Sequence, residues 1–113
     1  PAATFGYVAR ELGRRKLAFL CAREHHGAPA LGPQLRREFG GPFIANEGFS
    51  KASADEALAA GQADAVAWGR LFIANPDLPR RFQLNAVLNE PQPETFYGQG
   101  PVGYIDYPSL PAA

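Results

Sequence analysis

Two glycines follow short apolar runs and could help to bind an anion. Gly48 comes after residues 42–45, and Gly69 comes after residues 64–68 and directly precedes Arg70. Without a Cβ, each glycine lets an anionic oxygen approach the backbone, and a guanidinium adds a charge-assisted hydrogen bond. If both loops leave the same edge of a parallel sheet, they form one phosphate-sized site. By itself, the pattern is also typical of ordinary turns and of a solvent-exposed arginine.

Histidine and cysteine residues offer little further chemistry. His25 and His26 are adjacent in a polar loop, so their side chains point in opposite directions in an extended segment, and no cysteine or histidine cluster accompanies them. We expect them to be solvated rather than to bind a metal. Cys21 lies in the apolar run 17–22, and we expect a buried, unreactive thiol. The sequence therefore predicts neither a metal site nor a disulfide.

The composition restricts the class of partner. Eleven basic and eleven acidic residues give the 113-residue chain a net charge of zero, whereas sequence-independent binding of nucleic acid needs a surplus of cations. The arginine pairs at 36–37 and 80–81 are expected on solvent-exposed helix faces. No apolar run approaches the roughly 20 residues of a membrane span. We therefore expect a folded cytoplasmic protein whose partners include neither nucleic acid nor a membrane.

Apolar periodicity predicts alternating helices and strands, and hence a parallel α/β sheet with right-handed crossovers. Gly13 is expected to end the first helix. The third helix is expected to begin either with a capping box at Ser53–Glu56 or one turn earlier at Ser50, and Asn75 is expected to cap the fourth. After residue 85, five prolines and three glycines exclude regular structure, but the aromatic residues there should pack against something. Helices are predicted over 4–13, 33–39, 53–61 and from 75, and strands over 17–22, 42–45 and 64–68.

Three parallel strands are too few to close a sheet. A (β/α)8 barrel needs eight strands and about 250 residues, and an open three-stranded parallel sheet leaves two apolar edges. We therefore expect this chain, which begins at Pro1 rather than Met, to be incomplete: either a processed product or, as we expect, a piece of a longer polypeptide. Two alternatives stay open: a stand-alone α/β domain that binds a phosphorylated ligand without redox chemistry, and an incidental proteolytic product with a structural role only.

Several short motifs occur in a consistent order along the chain. They are YVARELG at 7–13, LAFL at 17–20, GPFIAN at 41–46, GRLFIANPDLPRR at 69–81, LNEP at 88–91, TFYG at 95–98 and GYIDYP at 103–108. Together they resemble the C-terminal end of the Old Yellow Enzyme family of flavin-dependent ene-reductases.

The resemblance implies an FMN-binding (β/α)8 TIM barrel. In this family NAD(P)H reduces the flavin, which then reduces an alkene activated by a carbonyl or nitro group, such as an enone, a nitroalkene or a maleimide. Residues 1–84 would form about strands six to eight with their helices, and residues 85–113 an irregular tail on the barrel. The expected partners are the N-terminal part of the barrel and a small activated alkene.

The resemblance also implies a division of labour. The family's substrate-orienting pair (His/His or His/Asn), its proton-donating tyrosine and its main flavin-ring partners lie in earlier strands. No catalytic residue is therefore expected here, and the isolated chain should be inactive. The loops after strands seven and eight hold the FMN phosphate, which corresponds to Glu47, Gly48, Gly69 and Arg70. Where this sequence has Glu47, the family often has glycine or alanine. We therefore expect the Glu47 and Gly48 amides to bind phosphate while the Glu47 side chain points away.

An aromatic pair completes the implied site. Phe96 and Tyr97 match the family's pair beside the flavin, with Tyr97 lining the substrate pocket. The alternative is that both side chains only anchor the tail.

Overall fold

Three short strands alternate with helices in the computed structural model, which describes residues 1–25 and 30–112. One short helix, Arg70–Ala74, was not predicted from the sequence. No helix within these residues is long and apolar enough to cross a membrane. The elements are α1 Ala2–Arg14, β1 Leu20–Arg23, α2 Gly32–Phe39, β2 Phe43–Asn46, α3 Lys51–Ala59, β3 Ala65–Ala67, α4 Arg70–Ala74, α5 Leu78–Leu84 and a 3₁₀ turn Pro93–Thr95.

The strands form one parallel sheet in the order β1-β2-β3. Arg23 lies opposite Asn46, and Asn46 lies opposite Ala67, so the carboxyl ends of the three strands lie side by side. The predicted parallel α/β arrangement is therefore confirmed for the described residues.

Contacts divide the chain into two compact units, Pro1–Ala67 and Trp68–Ala113. The first, which we call the sheet unit, contains the sheet and α1 to α3. The second, the tail unit, contains α4, α5 and the irregular C-terminal residues. The division of the chain at residue 84 into barrel and tail stays a prediction.

Only one face of β1 is partly covered. Leu20 and Ala22 are half-buried, whereas Cys21 and Arg23, which point to the other face, are exposed. The expectation of a buried Cys21 thiol is therefore wrong. The strand also begins later than predicted, because its first backbone bond, from Leu20 to the Pro42 carbonyl, forms only there.

Helix α1 packs closely on α2. A Cβ at Gly13 would lie 2.2 Å from the Phe39 carbonyl oxygen, so glycine is required by this close approach. Gly13 lies inside the helix rather than ending it, because the chain turns only at Lys16, whose φ is 53°. Close packing therefore explains a glycine that the sequence suggested as a helix stop.

Local capping sets the bounds of α2 and α3. Gly40, with φ 74°, ends α2, in agreement with the predicted helix over 33–39, and Gly61, with φ 69°, follows α3. The Ser50 hydroxyl accepts from the Ser53 amide at 3.1 Å, and Ser53 accepts in return from the Ser50 amide at 2.9 Å. The helix therefore starts at the Ser50 alternative, and the Ser53–Glu56 box is wrong.

Asn75 does not cap a helix. It is fully buried, and its side chain accepts from the Asn89 amide at 2.7 Å and donates to the Leu71 carbonyl at 3.0 Å. The residue at the N-terminus of α5 is Asp77. The predicted cap is wrong because the Asn75 side chain instead forms hydrogen bonds with a carbonyl of α4 and with the amide of Asn89, which lies after α5.

Arg81 fixes the irregular segment. Only 5% of its surface is exposed, and it donates to the Val87 carbonyl, to the Pro108 carbonyl at 2.9 Å and to the Asp77 carboxylate at 2.7 Å. Arg80 donates to the Pro111 carbonyl at 3.0 Å. The expectation that residues 80–81 are both solvent-facing is therefore wrong for Arg81: its guanidinium supplies hydrogen bonds to carbonyls that regular structure would otherwise satisfy.

Side-chain hydrogen bonds join the two ends of a loop in the tail. The Gln92 amide donates to the Tyr107 hydroxyl at 3.0 Å, and the Thr95 hydroxyl donates to the Gly103 carbonyl at 2.7 Å. Phe96 is buried within this unit. The tail contains no helix or strand beyond the 3₁₀ turn among its described residues, but Tyr97, Tyr104 and Ile105 are exposed. Packing of the tail on the barrel stays a prediction.

Candidate functional site

The carboxyl edge of the sheet is where ligands collect in parallel α/β folds, because strand ends and helix starts present backbone amides there. The segment Glu47–Gly48 follows β2 at this edge, and Gly69 lies two residues after the end of β3. Since Asn46 and Ala67 are paired, the two strands that precede these loops end side by side. Glu47 and Gly48 belong to the sheet unit, and Gly69 and Arg70 to the tail unit.

The Glu47–Gly48 turn has an uncommon backbone. Both residues are left-handed, with φ 83° at Glu47 and 77° at Gly48. Glycine adopts this conformation freely, but for glutamate it costs on the order of 1 kcal/mol or more. A strained non-glycine residue at a strand end is typical of a site where backbone direction matters.

The Glu47 carboxylate is held by residues at the end of β1. Arg23 donates to it through Nε and through Nη2, the latter at 3.1 Å from Oε1. His25 Nδ1 lies 3.2 Å from the same oxygen. The Glu47 side chain is 23% exposed, against 70% for Arg23. The carboxylate is therefore drawn towards β1, a contact that the sequence analysis missed.

The histidine pair is described only in part. The His25 side chain is 81% exposed, in agreement with the expected solvation, although it also faces Glu47. His26 lies outside the described residues. Among residues 1–25 and 30–112, no group of three or more histidine, cysteine, aspartate or glutamate side chains could hold a metal ion.

Gly69 and Arg70 leave space for a ligand in the tail unit. A Cβ at Gly69 would meet no atom within 4 Å, so packing does not require glycine there. Arg70 is exposed, and within the described residues no carboxylate pairs with it. An anionic phosphate group fits such an exposed guanidinium beside an uncrowded backbone.

The aromatic pair divides between interior and surface. Phe96 is 2% exposed and Tyr97 is 83% exposed; their rings meet edge to face with centroids 6.4 Å apart. Burial of Phe96 is what the anchoring alternative expects. The Tyr97 ring, in contrast, is free to contact a ligand.

Two aspartates have perturbed acidity, but neither belongs to these loops. The Arg36 guanidinium, together with the Phe43 amide, lowers the pKa of Asp64. The Leu110 amide, together with Arg81, lowers the pKa of Asp77. Both carboxylates receive backbone hydrogen bonds, at 2.8 Å for Asp64 and 2.7 Å for Asp77. Their perturbed pKa values therefore reflect structural bonds rather than a proton-transfer site.

The first comparison with known proteins is with a family model. The model for the NADH:flavin oxidoreductase / NADH oxidase family matches residues 20–89. This range includes all three strands, both strand-end loops and Arg81.

Two plant reductases are among the curated relatives. The chain is 52% identical over 99 residues to 12-oxophytodienoate reductase 1 of Oryza sativa subsp. japonica, covering 87% of the chain and 23% of that protein. It is 54% identical over 77 residues to 12-oxophytodienoate reductase 2 of Arabidopsis thaliana, covering 67% of the chain and 21% of the relative. The chain thus spans about a quarter or less of these relatives.

Solved structures agree in sequence and in fold. Morphinone reductase in complex with tetrahydroNAD matches with a TM-score of 0.90 and 49% identity, over 98% of this chain and 31% of that one. The Old Yellow Enzyme homologue of Zymomonas mobilis matches with a TM-score of 0.87 and 41% identity, over 94% and 32%. Matched motifs, sequence identity and backbone thus agree, and the chain belongs to the Old Yellow Enzyme family of NADH:flavin oxidoreductases.

Proposed function

We propose that this chain is the C-terminal part of an FMN-dependent ene-reductase, that it supplies strands six to eight of the barrel, and that it binds the FMN phosphate. One observation carries the proposal: β2 and β3 are parallel neighbours that end in register, with Asn46 opposite Ala67. The loops that begin there contain the residues expected at the phosphate. The relatives named above are reductases of this family, and the chain covers only 23% of the rice protein and 31% of morphinone reductase.

The phosphate would be bound by backbone and by one cation. Glu47 and Gly48 contribute amides from a left-handed turn, and Gly69 leaves its backbone accessible. Arg70 contributes a charge-assisted hydrogen bond that neutral groups cannot match. Withdrawal of the Glu47 carboxylate towards Arg23 supports this assignment, because a free carboxylate would repel the phosphate.

The remaining role of this chain is to form one wall of the site. FMN, when bound, would accept hydride from NAD(P)H and deliver it to an activated alkene. Buried Phe96 holds the wall in place next to the flavin, and Tyr97 presents its ring and hydroxyl to the substrate. No residue of this chain is assigned a catalytic role, and the other part of the barrel supplies those residues.

The preceding part of the barrel is the proposed partner of the exposed β1 edge. A groove of about 460 Å³ runs along this edge, and its lining includes Phe5, Val8, Leu35 and Cys21. Phe5 is 52% exposed and Val8 43%. An additional strand would cover these side chains and would pair with the free edge of β1.

Replacing Arg70 tests the proposed phosphate site. In the assembled barrel, meaning this chain together with the polypeptide that supplies the earlier strands, Arg70→Ala should weaken FMN binding by about 1.5 to 3 kcal/mol, the range for a hydrogen bond to a charged group. Fluorescence titration measures the affinity. Riboflavin, which has no phosphate, should bind both forms equally, and Arg37→Ala is the matched control at an exposed arginine on α2. Unchanged FMN affinity would remove Arg70 from the site.

The 113-residue chain alone tests the proposed dependence on a partner. We expect the purified chain to be colourless, to associate or aggregate through its exposed β1 edge, and to show no alkene reduction. Copurified flavin with alkene reduction would overturn this expectation. A compact monomer with protected amides that binds inorganic phosphate but no flavin would instead support the stand-alone binding domain.

A further inference from the structure

The Glu47 side chain creates an electrostatic problem for an anion-binding loop. Its backbone follows β2 at the edge where the proposed function places a phosphate, and its carboxylate is negatively charged at neutral pH. Two negative groups a few ångströms apart repel each other, and near a protein surface this repulsion is stronger than in bulk water. A compensating cation is therefore required if both are present.

The structure provides that cation from the neighbouring strand. Arg23 is the last residue of β1 and is in register with Asn46, the last residue of β2. This register places the guanidinium beside the residue that follows Asn46. Arg23 meets the Glu47 carboxylate with two nitrogens, and a two-point contact fixes the direction of a carboxylate better than a single bond does.

The contact also stabilises the backbone of the turn. Glu47 is left-handed, with φ 83°, a conformation that L-residues with side chains adopt only when surrounding contacts over-determine it. Among the described residues, the contacts of its side chain include two groups at the end of β1, Arg23 and His25. The same ion pair therefore directs the carboxylate and restrains the amides of the turn.

We propose that Arg23 is a positioning residue of the phosphate site: by pairing with Glu47, it keeps this carboxylate away from the bound phosphate and holds the Glu47–Gly48 amides towards it. This inference rests on the proposed function. In it Arg23 acts through Glu47 and makes no contact of its own with FMN.

A double-mutant cycle in the assembled barrel tests this role, with FMN and riboflavin affinities measured by fluorescence titration. Arg23→Ala should weaken FMN binding about tenfold, the scale of one uncompensated charge near a surface-bound anion, and should leave riboflavin binding unchanged. Glu47→Gln, which keeps size and backbone but removes the charge, should bind FMN at least as tightly as the parent. The double variant Arg23→Ala/Glu47→Gln should regain most of the lost affinity.

Arg14→Ala is the matched control. Arg14 also pairs with a glutamate, Glu11, at 2.8 Å, but it ends α1 and so precedes β1, at the opposite edge of the sheet from Arg23. Its removal should change neither affinity. An equal effect of Arg14→Ala would attribute the result to net charge and would overturn the role of Arg23.

The outcomes separate this inference from the proposed function. If Arg23→Ala leaves FMN affinity unchanged while Arg70→Ala lowers it, the phosphate site stands and the role of Arg23 is overturned. If the double variant is as weak as Arg23→Ala, Arg23 acts directly on the ligand or on the fold, and positioning through Glu47 is overturned. If neither Arg23→Ala nor Arg70→Ala affects FMN, the proposed phosphate site itself fails.

Discussion

The sheet unit and the tail unit are ordered by different means. In the sheet unit, backbone ladders define the strands, and the side-chain ion pairs of its described residues, such as Arg36 with Asp64, are mostly exposed. In the tail unit, a few part-buried side chains bind backbone carbonyls and amides of an irregular chain, as Arg81 does with Pro108. A unit with regular secondary structure can therefore have mostly solvent-exposed side-chain ion pairs, while a segment rich in proline and glycine can be held by part-buried side-chain hydrogen bonds.

The largest expected effect tests this contrast in the tail unit. Arg81→Met keeps the aliphatic stem but removes three hydrogen bonds, so we expect a loss of about 3 kcal/mol in the free energy of unfolding of this unit. Chemical denaturation of the assembled barrel and amide exchange across residues 103–110 measure it. Arg80→Met should have a smaller effect, because Arg80 is more exposed. If the two substitutions lower the free energy of unfolding equally, burial of Arg81 does not determine its contribution to stability.

The matching test in the sheet unit uses two glycines of α1. Gly13→Ala forces a Cβ against the Phe39 carbonyl oxygen and should cost about 2 kcal/mol, since overpacking outweighs the gain of about 1 kcal/mol in helix propensity. Gly6→Ala is the control, because its nearest neighbour is the flexible end of Gln34. Thermal unfolding distinguishes them. A destabilised Gly6→Ala would indicate that the distance between α1 and α2, rather than the contact with the Phe39 carbonyl, makes both positions intolerant of a Cβ.

A third test separates order from function within the tail unit. Tyr97→Phe removes a hydroxyl from an exposed ring, so the melting temperature should not change. If Tyr97 contacts the substrate, the ratio of kcat/KM between two activated alkenes should change about fivefold, as expected for one hydrogen bond. A lower melting temperature with unchanged selectivity would instead support the anchoring alternative.

The smallest expected effect compares the two aspartates. Each has a pKa below its ordinary value of 3.8 in the folded chain. Each therefore contributes stability that is fully present above the unfolded pKa and is lost as the pH falls through the folded pKa. Acidification from about pH 5 to about pH 2 should weaken both units. The Phe43 and Leu110 amide shifts measured by NMR report on the two sites, and Asp64→Asn or Asp77→Asn should abolish the corresponding response.

Local signals predicted much of the fold. Alternating apolar periodicity predicted the parallel sheet, and Gly40 and Gly61 marked helix ends because a left-handed residue there is a local requirement. The interpretations of Gly13 and Asn75 failed because a distant carbonyl and a distant amide, those of Phe39 and Asn89, determine what these residues do. Such contacts leave no periodic trace in the sequence.

The candidate site was predictable to a similar extent. The two strand-end loops could be recognised because strands and turn glycines are local features. The Arg23–Glu47 pair could not, since it depends on the register between β1 and β2. That register was the missing information: once Arg23 is opposite Asn46, a contact with the next residue, Glu47, follows.

The bond between the Gln92 amide and the Tyr107 hydroxyl has a practical consequence for protein engineering. It joins the two residues that flank the loop 93–106, so this loop forms a separate segment with fixed ends. Grafting the corresponding segment of a relative between Gln92 and Tyr107 would exchange the surface around position 97 while the attachment points stay the same.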